Sequence, residues 1–153
     1  MSIPSFCIDP MGKALEQAQK AFLEEEVPVG AVIMQDNKII AVAHNLVETT
    51  HDPTAHAEIL ALRQASQILQ TTYLTNCALY VTLEPCAMCA QAIAFARIQS
   101  LFFGAYDPKG GAVDHGSRLF TQPTCHHSPD IIGGLRAEEC QKLLRDFFKK
   151  LRS

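Results

Sequence analysis

The sequence predicts an α/β domain in which helices sandwich a mixed sheet, and three observations point there. The length of 153 residues suits a single domain, spanning 1–153. Val29 to Ala43 reads as a hairpin of two antiparallel strands. Ala78 to Phe103 reads as strand, helix, strand, an order that implies a parallel pair with a right-handed crossover.

Asp9-Pro10 starts a first helix, an N-cap followed by proline at the first helical position, and Leu15, Ala18 and Phe22 recur at helical spacing up to Glu24-Glu25-Glu26. Val29 to Met34 is apolar and β-branched, the polar Gln35-Asp36-Asn37-Lys38 forms the turn, and Ile39 to Ala43 returns as the second strand. Asp52-Pro53-Thr54 repeats the cap-and-proline signal, and Ile59, Leu62, Ala65, Ile68 and Leu69 carry a second helix onward. Ala78 to Thr82 is a short strand ending near Pro85, Cys86 to Ala96 an alanine-rich helix, and Leu101-Phe102-Phe103 another strand. Asp107 to Pro129 reads as a long loop with one helical turn, and loops of that length in a compact domain are usually functional. A final helix from Arg136 aligns Cys140, Leu144, Phe147 and Leu151 on one stripe.

Composition excludes several classes. Hydrophobic residues at 48% and charged residues at 19% describe a packed chain, not a disordered one. No apolar run approaches the roughly 20 residues of a membrane span, and Met1 to Cys7 lacks the features of a signal peptide, so a soluble, cytoplasmic protein without membrane partners is expected. The net charge of −3 opposes general coating of nucleic acid, and DNA is not an expected partner. Yet the charge is asymmetric: from Arg136 onward six basic residues face three acids. Six cysteines without a secretory signal predict reduced thiols and metal ligands, with Cys7, Cys77 and Cys140 as small buried hydrophobes.

The chemistry-bearing residues fall at two predicted helix starts, His56-Ala57-Glu58 and Pro85-Cys86-Ala87-Met88-Cys89. Cysteines three apart share a helical face, and the positive helix pole favours their thiolates. One histidine completes a three-ligand set, which leaves tetrahedral zinc a fourth position for water, the catalytic arrangement. Glu58 follows His56 by two residues, about 200° around a helix, so it is better placed beside a metal than on it, where a carboxylate can accept a proton from bound water. Each signal also has an ordinary use: a core histidine, a solvated glutamate, a thioredoxin-like redox pair or a structural zinc site. Cys125-His126-His127 is the nearest source of a fourth structural ligand.

His-x-Glu followed by Pro-Cys-x-x-Cys resembles the signature of the zinc nucleobase deaminases. Four further stretches, Val27 to Val32, Asp52 to Glu58, Leu79 to Cys86 and Gly104 to Asp107, resemble the bacterial tRNA-specific adenosine deaminases, and the likeness runs from about Glu26 to the last helix. That resemblance implies a three-layer α/β/α sandwich around a mixed five-stranded sheet, of the cytidine deaminase-like type. It implies a homodimer that converts the wobble adenosine of a tRNA anticodon, one for arginine, to inosine. His56, Cys86 and Cys89 would hold one Zn2+ per subunit, with Glu58 moving the proton. Asn45, Ala55 and Phe148 would contact the anticodon stem-loop, Asn45 through an amide that both donates and accepts, although a turn role at a strand end also suits it. The sequence departs from the family at Leu46-Val47, where many relatives carry Arg-Pro, which removes a phosphate contact and a rigid loop element.

The last helix carries a separate sign. Phe148 lies off its apolar stripe among Arg145, Lys149 and Arg152, as suits splayed RNA bases, although it could equally widen the core stripe. Two rivals remain: a free-base deaminase acting on guanine or cytosine, which needs no basic helix, and a noncatalytic zinc-stabilised RNA-binding module, in which Glu58 is dispensable.

Overall fold

The computed structural model describes residues 8–153. Helix α1 (Pro10–Leu23) begins where Asp9 accepts the Gly12 amide at 3.0 Å. Strands β1 (Gly30–Gln35) and β2 (Lys38–His44) pair antiparallel. Asp36 and Asn37 between them have φ values of 51° and 61°, the left-handed pair that a tight two-residue hairpin needs. Strand β3 (Cys77–Leu83) pairs antiparallel with β1, while β4 (Ser100–Ala105) runs parallel to β3 across the intervening helix. A short strand β5 (Asp130–Ile132) runs parallel to β4 and completes the order β2-β1-β3-β4-β5. The fold is the mixed five-stranded α/β architecture that the sequence implied.

Strand alternation sorts the core into two sides. Val32 and Met34 point to α1, packing with Met11 and Ala14, and helix α5 (Ala137–Arg152) joins the same layer through Cys140 against Leu15 and Ala105. Ala31, Ile33, Leu79, Val81, Leu101 and Phe103 face the opposite layer, formed by α3 (Ala57–Leu69) and α4 (Ala87–Ala96). Helix α1 presses so closely on the sheet that a side chain at Gly30 would collide with the Ala14 carbonyl. Cys77 and Cys140 are buried, as expected of them, whereas Cys7 lies outside the described residues.

Three elements differ from the sequence expectation. The second long helix begins at Ala57 rather than at Asp52-Pro53, because the Asp52 carboxylate accepts the amide and hydroxyl of Thr54, at 2.8 and 2.7 Å, and closes a turn instead of capping a helix. A one-turn helix, α2 (Val47–Thr50), fills part of that interval. Strand β5 went unread, being only three residues long and set directly after Ser128-Pro129. The helical turn expected in the long loop falls at Leu119–Thr121. No helix among the described residues is long and apolar enough to cross a membrane.

Candidate active site

The start of β1 and the ends of β2, β3 and β4 meet at one edge of the sheet, where Gly30 donates its amide to the Thr82 hydroxyl at 3.1 Å. Open α/β sheets bind ligands at such strand ends. Here α3 and α4 point their N-termini toward a shared space.

His56 and Cys86 occupy the N-cap positions of α3 and α4, both in extended backbone, and Cys89 lies in the first turn of α4. Because His56 stands outside the helix, the 200° separation expected between it and Glu58 does not apply; both reach the site from opposite sides of the helix boundary. His56 Nδ1 lies 3.7 Å from Cys86 Sγ and 3.5 Å from Cys89 Sγ, and the three donor atoms all fall within 4.8 Å of one another. Zinc bonded tetrahedrally to nitrogen and sulfur at ordinary lengths sets those two kinds of donor about 3.6 Å apart, so both nitrogen–sulfur distances suit the ion.

The electrostatics suit the same purpose. A hydrogen bond from the Cys89 thiol pushes the Cys86 thiol down to about 4, against the effect of burial and with help from His56, while Cys89 is pushed up. Metal binding would displace the thiol proton that remains. His56 is raised, chiefly by its hydrogen bond with Cys86. Glu58 is 4% exposed, and burial pushes its carboxyl up to about 7. A carboxyl poised near neutrality beside a metal-binding cluster can both take and give a proton.

Two hollows adjoin through Asp107, Gly110 and Phe148, and the inner one opens over this cluster. The inner one, about 530 Å³, is lined by Asn45, His56, Glu58, Cys86 and Phe148 among others. The outer one, about 940 Å³, adds Lys109, Arg145 and Arg152 around Phe148, Leu144 and Leu151. Of the expected contacts, Asn45 and Phe148 therefore face the cleft, Phe148 on a helix whose other aromatic, Phe147, is buried. Ala55 is buried, and its carbonyl accepts the Leu46 amide at 3.0 Å. Cys125-His126-His127 stands apart: the Cys125 thiol donates to the His127 carbonyl at 3.1 Å, and the His127 ring meets the Ile98 carbonyl at 2.7 Å.

Two carboxylates escaped the sequence reading. Glu26 is buried and accepts the amides of Glu48 and Thr49 and the Thr49 hydroxyl, at 3.1, 2.7 and 2.6 Å. These bonds anchor the one-turn helix α2, which follows Leu46. Glu84, just before Pro85-Cys86, is equally buried and collects the Asp107–His115 loop. The available signal for Glu84 was a lone acid at the end of an apolar strand; Glu26 was hidden in a run of three acids.

A three-layer sandwich whose His/Cys/Cys cluster and buried glutamate sit at two helix N-termini defines a nucleobase deaminase fold. Residues 8–152 match the MafB19-like deaminases, and the chain belongs to that family. Within it the resemblance read from the motifs holds. The chain is 51% identical over 142 residues to a tRNA-specific adenosine deaminase of Agrobacterium fabrum, covering 93% of each. A structure solved in a study of A-to-I editing by tRNA:A34 deaminases matches with a TM-score of 0.87 at 50% identity, over 88% of this chain and 98% of that one. A guanine deaminase from Bacillus subtilis is more distant, with 30% identity and a TM-score of 0.62, covering 94% of this chain and 91% of its own.

Proposed function

We propose that this chain hydrolytically deaminates the wobble adenosine of a tRNA anticodon, one for arginine, to inosine. The observation that carries the reading is the three-donor cluster with the buried Glu58 beside it, in a chain this similar to proteins named tRNA-specific adenosine deaminases. The chain acts as one zinc deaminase domain over 1–153, with one Zn2+ held by His56, Cys86 and Cys89. Bound zinc supplies Lewis-acid activation of the attacking water.

The chain's own residues supply the rest. Glu58, with its carboxyl near 7, takes one proton from the attacking water and gives it to the purine ring nitrogen, where it stays in the product; it then passes the second proton of that oxygen to the exocyclic amine, which leaves as ammonia. Asn45 meets the purine edge from the cleft wall through its amide nitrogen, because its oxygen is engaged elsewhere. Ala55 supports the base from the adjoining turn. Phe148 stacks an unpaired base, while Lys109, Arg145 and Arg152 meet phosphates. The chain works in the cytoplasm as a homodimer.

The deciding experiment incubates the zinc-loaded protein with unmodified bacterial tRNA, and separately with guanine, cytosine and cytidine, and follows products by mass spectrometry. Inosine confined to the wobble position is expected. Xanthine or uracil without inosine would move the substrate to a free base, the reading the guanine deaminase likeness favours.

A further inference from the structure

Glu84 joins the end of β3 to the Pro85-Cys86 turn, and its side chain is wholly enclosed. Oε1 accepts the Asp107 amide at 2.9 Å and meets His115 Nδ1 at 2.9 Å. Oε2 accepts the amides of Val113, Asp114 and His115 at 3.1, 2.9 and 3.1 Å. A single carboxylate thus gathers four main-chain donors from both ends of one loop. The loop fits closely over it, since a side chain at Gly111 would stand 2.5 Å from Glu84 Cδ. The Ala112 amide adds a bond of 2.9 Å to the Pro85 carbonyl, tying the loop to the turn that carries Cys86.

The held segment is a wall of the cleft. Asp107 and Gly110 line both hollows, and Lys109 lines the outer one. Within the segment Asp107 Oδ1 accepts the Lys109 and Gly110 amides, at 3.2 and 2.9 Å, so fixing Asp107 also fixes where Lys109 departs from the chain. Charge-assisted hydrogen bonds to main-chain amides set that geometry more firmly than loop packing alone.

We propose that Glu84 is a positioning residue that fixes the Asp107–His115 loop as the wall meeting the nucleotides beside the reacting base, without touching substrate itself. The role rests on the tRNA reading above for its substrate and on the hydrogen bonds for its mechanism. It separates Glu84 from Glu58: one shapes the cleft, the other moves the proton.

Glu84→Gln tests it, because glutamine keeps the volume but has one acceptor oxygen where the carboxylate has two, so whichever way it turns its amide nitrogen meets main-chain donors it cannot accept. With an anticodon stem-loop as substrate, KM is expected to rise about tenfold or more, while kcat stays within about threefold and zinc content is unchanged. An unchanged KM in a folded, zinc-loaded variant overturns the proposal, as does a joint loss of zinc and kcat. Should the variant not fold, hydrogen exchange of the wild-type protein decides: protection of the Val113, Asp114 and His115 amides comparable to β3 supports the role, and exchange at unstructured rates overturns it. A wild-type chain that deaminates no tRNA would defeat the functional reading, and the exchange pattern would still show whether Glu84 fixes the loop.

Discussion

The Ala57 amide donates to Asn45 Oδ1 at 2.8 Å, joining the end of β2 to the first turn of α3. His56 makes no side-chain cap of its own, so Asn45 supplies the cap that frees the imidazole to face the cysteines. The structural reading of Asn45 thus occupies its amide oxygen, which leaves the amide nitrogen for the proposed purine contact. Asn45→Asp preserves the acceptor and removes the donor: it should fold and bind zinc normally but lose at least about tenfold in kcat/KM. Asn45→Ala should also lose roughly 1–2 kcal/mol of stability by denaturant unfolding.

Glu58→Gln keeps shape and burial but removes the proton acceptor. Turnover should fall by about 100-fold to 10,000-fold, with metal content unaltered by elemental analysis. Retained turnover would defeat the assignment of Glu58 as the proton carrier.

Zinc should bind at one equivalent per chain, and chelation should abolish activity until zinc is restored. Cys86→Ser and Cys89→Ser should each lower the stoichiometry. Cys125→Ser should not, because the Cys125 thiol is turned to the His127 carbonyl and stands outside the donor cluster.

Burial opposes the charged form of Glu26, but the Thr49 hydroxyl and the amides of Thr49 and Glu48, with His44 nearby, outweigh it and lower its pKa. A carboxyl with a lowered folded pKa contributes stability that is complete above its unfolded value and is lost as pH falls through the folded one. Glu26→Gln should therefore destabilise the protein at pH 7 more than at pH 3, and thermal unfolding across that range should show the two curves converging. A constant offset would contradict the charge-assisted role.

Phe148→Ala should raise KM for the anticodon stem-loop roughly 5-fold to 100-fold, the usual worth of one stacked base, with little change in kcat. Wild-type affinity should fall steeply between about 50 and 200 mM salt, and less steeply in an Arg145→Gln, Arg152→Gln double variant.

The parts legible in the sequence were those with local signals. Asp9-Pro10 marked a real helix start because its carboxylate reaches the Gly12 amide three residues on. The same pair of residue types at Asp52-Pro53 misled, since that carboxylate closes on Thr54, and nothing local distinguishes the two outcomes. The spacing of His56, Cys86 and Cys89 could be read because each stands beside a helix boundary. The partners of Glu26 and Glu84 could not, because they lie 22 to 31 residues away and are mostly main-chain amides, which no residue pattern advertises.

That choice of partner has a consequence for how the cleft can diversify. Every amino acid except proline brings an amide N–H, so the main-chain bonds from residues 48 and 114 to Glu26 and Glu84 do not depend on the side chains carried there. Residues 48 and 114, both exposed, can be exchanged with the scaffold intact, provided neither becomes proline, whereas Thr49 also gives Glu26 its hydroxyl and Val113 is buried in the core. Glu48 lines the inner hollow, so its position is open to mutational drift in what the cleft recognises while the outline stays fixed, and a library varied there would sample new preferences on an unchanged frame.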